Sequence, residues 1–339
     1  MNETFSERGE QQNDGLSVSI LGAGRLAWAV GRMLAAPHIE MRFWARQQRA
    51  REKLQEAFPD ARVPEQIEDA VRDVSLVFYA VPSTSMPEIE RQSAGSLSGD
   101  QIVLHACRGV AESEELLFAH DVFRRETCIR KIGVLGGPLY VDELGAGHPL
   151  VALVGSRYDE VHQRIQSSIV NPLIKLHGTR DLMGVQVAGA ISNVTAIAVG
   201  MCDALELGKT ARGVLCMQGL SDATRLGVRL GADRTTFSGL AGVGDLIPRK
   251  VHSTRRNREV GRMLAQGIEL ELALAKAGGS VEGVTTALAL EQNARGKGLS
   301  LVEMVARVIH KKEEARAGLE RILSMDISLE NDFRPTLSR

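Results

Sequence analysis

Aromatic residues are scarce in this chain: 2 Trp, 3 Tyr and 8 Phe among 339 residues, 4% in all. Its core must therefore pack through aliphatic side chains, Ala and Gly, as happens where helices approach closely, which favours helix and parallel strand over a β-sandwich. An excess of charge is missing as well, since 41 Lys and Arg face 42 Asp and Glu for a formal net charge of −1. No global field draws in nucleic acid or an anionic membrane, so neither is an expected partner, and an anionic ligand has to be held by local groups. The four cysteines, Cys107, Cys128, Cys202 and Cys216, lack CxxC or metal-like spacing. They read as reduced, buried thiols of a cytoplasmic protein, with no metal site. HExxH and GxSxG are absent too, which leaves zinc hydrolysis and serine-triad chemistry without support. Residues 1–15, "MNETFSERGEQQNDG", carry no apolar run of a signal peptide and are expected to be a disordered leader. The most membrane-like run, Val185 to Leu205, is interrupted by Ser192, Asn193, Thr195 and Asp203. It reads as a buried helix rather than a transmembrane span.

What is present is an alternation of short β-branched runs with helical stretches over roughly the first half of the chain, the pattern of βαβ units. "SVSIL" and "EMRFWA" are the first two strands, and "VSLVFYAV", "QIVLHA", "IGVLGG" and "PLVALVG" supply later ones. Ala50–Phe58 and Glu112–Phe118 read as intervening helices. After about Asp181 helical periodicity takes over, broken mainly at "GLAGVGDL" and "AGGSVEG". The expected architecture is α/β: a Rossmann-type doubly wound parallel sheet in a dinucleotide-binding domain over 16–180, followed by an all-α substrate and dimerisation domain over 181–326. A flexible tail is expected over 327–339.

Gly22-Ala23-Gly24-Arg25-Leu26-Ala27 fits G-x-G-x-x-G/A between a strand and a helix. Gly22 permits the tight turn, Gly24 lets the backbone approach a pyrophosphate, and the small Ala27 lets the helix pack against the strand. The helix N-terminus then offers free N–H groups to the anion. Strand two ends "FWARQQRAR" with no acid for a ribose 2′-hydroxyl. Arg46, with Arg49 or Arg51 behind it, suits a 2′-phosphate, so NADP(H) is favoured with NAD(H) as the alternative. For Arg49 and Arg51 a solvated helix start is the competing reading. Pro82 in "YAVPS" stops the next strand at the cofactor edge, as a plain terminator also would.

With these motifs in hand, the chain resembles the NAD(P)-dependent glycerol-3-phosphate dehydrogenase family from about Ser17 to Ser324. "LGAGRLAWA", "RFWAR", "VFYAVPS", "VLGGPLYVDELGAGHP", "GLAGVGDL", "RRNREVG" and "VEGVTTA" follow in the family's order. The resemblance implies hydride transfer between a nicotinamide and a small phosphorylated ketone or alcohol, dihydroxyacetone phosphate or sn-glycerol 3-phosphate, in a homodimer. It places the cofactor on the Gly22, Gly24, Arg25, Leu26, Ala27 turn and on Arg46, Pro82, Arg108, Val141, Arg256 and Glu282, although a cap or turn acid is the competing role for Glu282. Substrate contacts fall on Arg108, Gly137, Leu139, Asn193, Asp245, Arg255, Arg256 and Asn257, with Arg256 and Asn257 gripping the phosphate and Asp245 also a catalytic candidate that orients the proton donor or binds a substrate hydroxyl.

Two lysines of the family pattern are replaced. A-x-K-G is Ala106-Cys107-Arg108-Gly109 here, and G-A-x-K-N is Gly189-Ala190-Ile191-Ser192-Asn193. Arg108 keeps the charge but cannot give up its proton. Ser192 stands at the position of the catalytic lysine, and loss of a general acid/base costs on the order of 10²–10⁴ in rate unless a neighbour takes over. The candidates are a water held by Ser192 and Asp245, Lys250, or His252. Leu139 and Tyr140 also replace a small hydroxyl residue and Phe. Two alternatives stand beside the family reaction: a diverged paralogue reducing another small carbonyl or imine, and a catalytically silent NADP(H)-binding protein.

Overall fold

The structure, a computed structural model, describes residues 16–36, 38–111, 115–139, 148–169, 171–246, 255–278, 281–293 and 297–325. The leader, the tail, Tyr140, Val141, Arg249, Lys250, His252 and the side chain of Arg255 lie outside the described residues.

Seven strands form one sheet: β1 (Leu16–Leu21), β2 (Ile39–Trp44), β3 (Leu76–Tyr79), β4 (Ile102–His105), β5 (Lys131–Gly136), β6 (Leu150–Gly155) and β7 (Ile174–Thr179), in the order β2-β1-β3-β4-β5-β6-β7. β1 to β5 are mutually parallel; β6 is antiparallel to β5 and parallel to β7. The doubly wound sheet expected from the sequence is thus present, with its last two strands reversed. β3 and β4 are buried at every position, because helices cover both faces and short apolar runs such as "LVFY" suit a strand with no solvent side. β7, "IKLHGT", is an edge strand exposed or half-exposed beyond Ile174, so it lacks the apolar run by which the other strands announce themselves.

The helix expected over Glu112–Phe118 is not found in its described part. Phe118 is extended and pairs with Val110 in an isolated antiparallel bridge, and the helix runs from Ala119 to Glu126. Burial of the Phe118 ring, 1% exposed, holds this segment against the sheet, while the Asp121 carboxylate accepts the Phe118 amide at 3.0 Å and starts the helix one residue later.

The long helix Leu182–Ala204 is buried along almost its whole length, as the sequence predicts for this run. It packs against Gly208–Arg229, Arg255–Ala265 and Glu282–Gln292, and its first turns touch β5 and β6. Small residues set these distances: a Cβ on Gly200 would overlap the Arg258 carbonyl, and one on Gly261 the Ile197 carbonyl. One apolar cluster therefore runs without a break from Val77 and Val103 in the sheet through Val185 and Ile191 to Val305, and it fixes the helical part against the carboxyl ends of the strands.

Asp222, fully buried, accepts the amides of Leu301 at 2.8 Å and Val302 at 3.2 Å and so caps helix Ser300–Ile309 from a neighbouring helix. Asp222→Ala orphans both amides and lowers stability by about 1–3 kcal/mol. Chemical denaturation checks this, and an unchanged midpoint would remove the cap from the account of the core.

Candidate active site

The carboxyl ends of parallel strands are where an open α/β sheet binds ligands, and the conspicuous turn lies there. Gly22 leaves β1 at φ +128°, its amide bonds the Trp44 carbonyl at 2.8 Å, and a Cβ would fall 2.6 Å from the Ala80 carbonyl oxygen. Only glycine suits that position. Gly24 differs: it is extended, at φ −78° and ψ 173°, and a Cβ there would meet nothing within 4 Å. The helix Arg25–Leu34 begins at this open face with no side-chain cap on its first amides. Arg25 is exposed, Leu26 half-buried and Ala27 buried. An open cradle before uncapped helical N–H groups fits the pyrophosphate of a dinucleotide.

At the end of β2, Arg46 is exposed and pairs with Glu88 at 2.7 Å. Arg51 instead donates to the carbonyls of Ala45 and Arg46 at 2.9 and 3.0 Å and braces the strand end. Pro82 is exposed after β3 and leads into a short turn, Ser83–Ser85.

Four distant segments meet in a polar centre beside this turn. Arg108 follows β4, Ser192 and Asn193 come from the middle of Leu182–Ala204, Asp245 follows Leu240–Gly244, and Glu282 opens Glu282–Gln292. Arg108 Nη2 donates to Ser192 Oγ at 3.0 Å and to Asp245 Oδ2, and Ser192 Oγ donates to that same carboxylate oxygen. Leu240–Gly244 is a π-helical turn, its Gly244 amide reaching back to the Gly239 carbonyl at 3.0 Å. The wide turn brings Asp245 to Ser192, a use of π geometry common at functional sites. Asn193 Nδ2 donates to the Arg108 carbonyl at 2.9 Å and to Glu282 Oε2 at 3.2 Å, while Glu282 Oε1 accepts the Ser83 amide at 2.9 Å. Asn257 Oδ1 accepts the Gly283 amide at 2.9 Å. Ser192, Asn193, Asp245 and Asn257 are all at most 5% exposed.

Arg108, Ser192, Asn193, Asp245 and Glu282 are thus linked directly, with Asn257 joined through Gly283. Arg256 is exposed in the first turn of its helix, next to Asn257. Gly137 takes φ +79° after β5, but Leu139 packs against the cluster of Met33, Leu150 and Ile174 rather than into the polar centre. Sequence reading missed Ser83 and the groups behind it. Cys107 is buried beside Glu282, and burial together with that carboxylate pushes its thiol up, so it stays protonated. Cys128, expected to be buried, is exposed. Among the described residues no cluster of three or more His, Cys, Asp or Glu could hold a metal.

Models of the NAD-dependent glycerol-3-phosphate dehydrogenase N-terminus and C-terminus match residues 17–162 and 181–320. The chain belongs to this family. As a member it is a nicotinamide-dependent oxidoreductase. A glycerol-3-phosphate dehydrogenase [NAD(P)+] of Janthinobacterium sp. (strain Marseille) is 33% identical over 92% of this chain and 98% of its own length. One from Paucimonas lemoignei is also 33% identical, over 91% of this chain and 97% of its own. The crystal structure of glycerol-3-phosphate dehydrogenase from Coxiella burnetii superposes with a TM-score of 0.83 at 22% identity, covering 91% of this chain and 99% of that one. This family fold accounts for the order of elements from β1 to the last helix.

Proposed function

We propose that the protein interconverts sn-glycerol 3-phosphate and dihydroxyacetone phosphate with NADP(H) in preference to NAD(H). The observation that carries the reading is the buried polar centre of Arg108, Ser192, Asn193 and Asp245 beside the open glycine turn of a chain of this family. The turn at Gly22, Gly24, Arg25, Leu26 and Ala27 would hold the pyrophosphate, with Pro82, Val141 and Glu282 at the nicotinamide side, and a nicotinamide so bound supplies the hydride chemistry. Arg108 orients the substrate oxygen through its guanidinium N–H donors, Asn193 fixes the Arg108 backbone by donating to its carbonyl, and Asp245 anchors the Arg108 side chain. Arg256, with Asn257 and Arg255, takes the phosphate, since a guanidinium fork matches phosphate oxygens. Assembly as a homodimer and a cytoplasmic location complete the reading.

Arg46 is the candidate for the 2′-phosphate because it is exposed at the end of β2, where it already holds the carboxylate of Glu88. Arg46→Ala weakens NADPH binding about tenfold, the loss of roughly one charge-assisted hydrogen bond, and leaves NADH binding unchanged. Parallel fluorescence titrations check this; equal losses for both cofactors would move the preference elsewhere. The function itself is tested by mixing protein, NADPH and dihydroxyacetone phosphate and following nicotinamide absorbance. Oxidation supports the assignment, and binding of NADPH without oxidation overturns it. The second reading, another small carbonyl or imine substrate, is favoured by Ser192 where the family pattern has lysine, and turnover of such a substrate without turnover of dihydroxyacetone phosphate would establish it.

A further inference from the structure

A hydride transfer to or from a carbonyl carbon leaves one proton to be placed on or taken from the oxygen. Among the described side chains at the polar centre, few can exchange one. Arg108 is a permanent cation. Asn193 does not titrate, and the Cys107 thiol is buried against Glu282 and held protonated. His105 is fully buried in β4, where burial pushes its imidazole down to about 3, and its Nδ1 accepts the Cys107 amide at 3.3 Å. Glu282 has both carboxylate oxygens engaged, Oε1 by the Ser83 amide at 2.9 Å and Oε2 by Asn193 Nδ2 at 3.2 Å, which turns attention to Ser192 and Asp245, already joined through Ser192 Oγ–H to Asp245 Oδ2.

Resting on the proposed reaction, we infer that Ser192 is a proton relay between the substrate oxygen and Asp245, in place of a single ionisable amine. A serine hydroxyl alone is a poor base; one whose proton already points at a carboxylate is activated in the way of a nucleophile beside its base. Ser192 directs its one proton at Asp245, and its Oγ also accepts from Arg108 Nη2 at 3.0 Å. In the oxidation direction the substrate O–H bond breaks and its proton bonds to Ser192 Oγ, while the original Oγ proton passes to Asp245 Oδ2. The hydrogen and electron pair that the carbon gives up would be taken by the oxidised nicotinamide that the glycine turn would hold, which balances the oxidation of the substrate. In reduction both transfers run backwards, and the alkoxide oxygen receives the Ser192 proton. Arg108 is a positioning residue: by donating to both Ser192 Oγ and Asp245 Oδ2 it holds the two oxygens together.

The test uses full-length protein, NADPH and dihydroxyacetone phosphate, with single-turnover rates measured in mixtures of H₂O and D₂O. Ser192→Ala lowers the rate by about 10²–10⁴, the range for a lost general acid/base, and leaves NADPH affinity within about twofold by fluorescence. Ser192→Thr, which keeps a hydroxyl, retains most of the rate. The unmodified protein gives a bowed proton inventory, two protons moving together, and Ser192→Ala a linear one, a change that a merely structural serine would not produce. Full activity of Ser192→Ala overturns the relay and leaves the proposed reaction standing, as does collapse of the rate in Lys250→Ala or His252→Ala alone. Silence of the unmodified protein with turnover by Ser192→Lys overturns the relay while upholding the substrate site. Silence of both overturns the relay and the proposed reaction together.

Discussion

Gly24→Val raises the dissociation constant for NADPH by about 100-fold or more, a loss of roughly 3 kcal/mol, while the protein folds as before. The two glycines of the turn differ in what requires them. At Gly22 the chain itself leaves no choice, because φ is +128° and a Cβ would press on the Ala80 carbonyl. At Gly24 the backbone is ordinary and the space in front is open, so a side chain costs the fold little and occupies the approach to the uncapped helix amides. Only a ligand that lies against that backbone suffers. Fluorescence titration with NADPH, alongside thermal denaturation without cofactor, separates the two effects. Unchanged affinity with an unchanged melting temperature would mean that the cofactor binds elsewhere.

Glu90→Leu is expected to stabilise the protein by about 2–4 kcal/mol at pH 8, in the range seen when buried ionisable groups give way to apolar ones. Glu90 is 0% exposed in helix Met86–Ala94, and neither carboxyl oxygen has a hydrogen-bond partner among the described residues. Burial, helped by the charge of Glu126, pushes its carboxyl from an ordinary 4.5 up to about 9. The folded protein therefore keeps a proton that the unfolded chain releases. That difference leaves stability intact below about pH 4.5 and erodes it progressively as pH rises through about 9. The gain from Glu90→Leu should consequently be larger at pH 8 than at pH 5. Denaturant midpoints of both proteins at the two pH values measure it; an equal gain at both would show that Glu90 titrates alike in the folded and unfolded protein, as a solvated carboxyl does.

The same contrast between local and distant causes decides what could be read beforehand. β1 and β3 to β6 were legible because each carries a short apolar run, and burial of such a run needs no knowledge of its partner, while β2, at the other edge, was marked by its buried Phe43 and Trp44 end. β7 was not, since an edge strand buries too little to leave a pattern. The misplaced helix before Ala119 has a similar origin: its residues read as helix formers, but the Phe118 ring gained more by docking on the sheet than by continuing a helix. The reversal of β6 against β5 depends on the route of the connecting chain, to which a strand's own composition is blind.

For the site, the amino-acid sequence alone determined the glycine turn, the arginine at the end of β2 and the absence of an acid there, while Arg108 and Ser192 stand where the resemblance to the family implies lysines. These are matters of residue identity and of spacing within one segment, where backbone geometry follows from chain neighbours. Tertiary structure alone decided that Arg108 and Ser192, 84 residues apart, share the carboxylate of Asp245. It likewise decided that Glu282 ties Asn193 to the Ser83 amide, 199 residues away in the chain, and that Leu139 turns into an apolar cluster instead. A hydrogen bond has a reach of about 3 Å and a required direction. Whether it forms between residues so far apart is settled by helix crossings at Gly200 and Gly261 and by the π-helical turn before Asp245, not by the residues that make it.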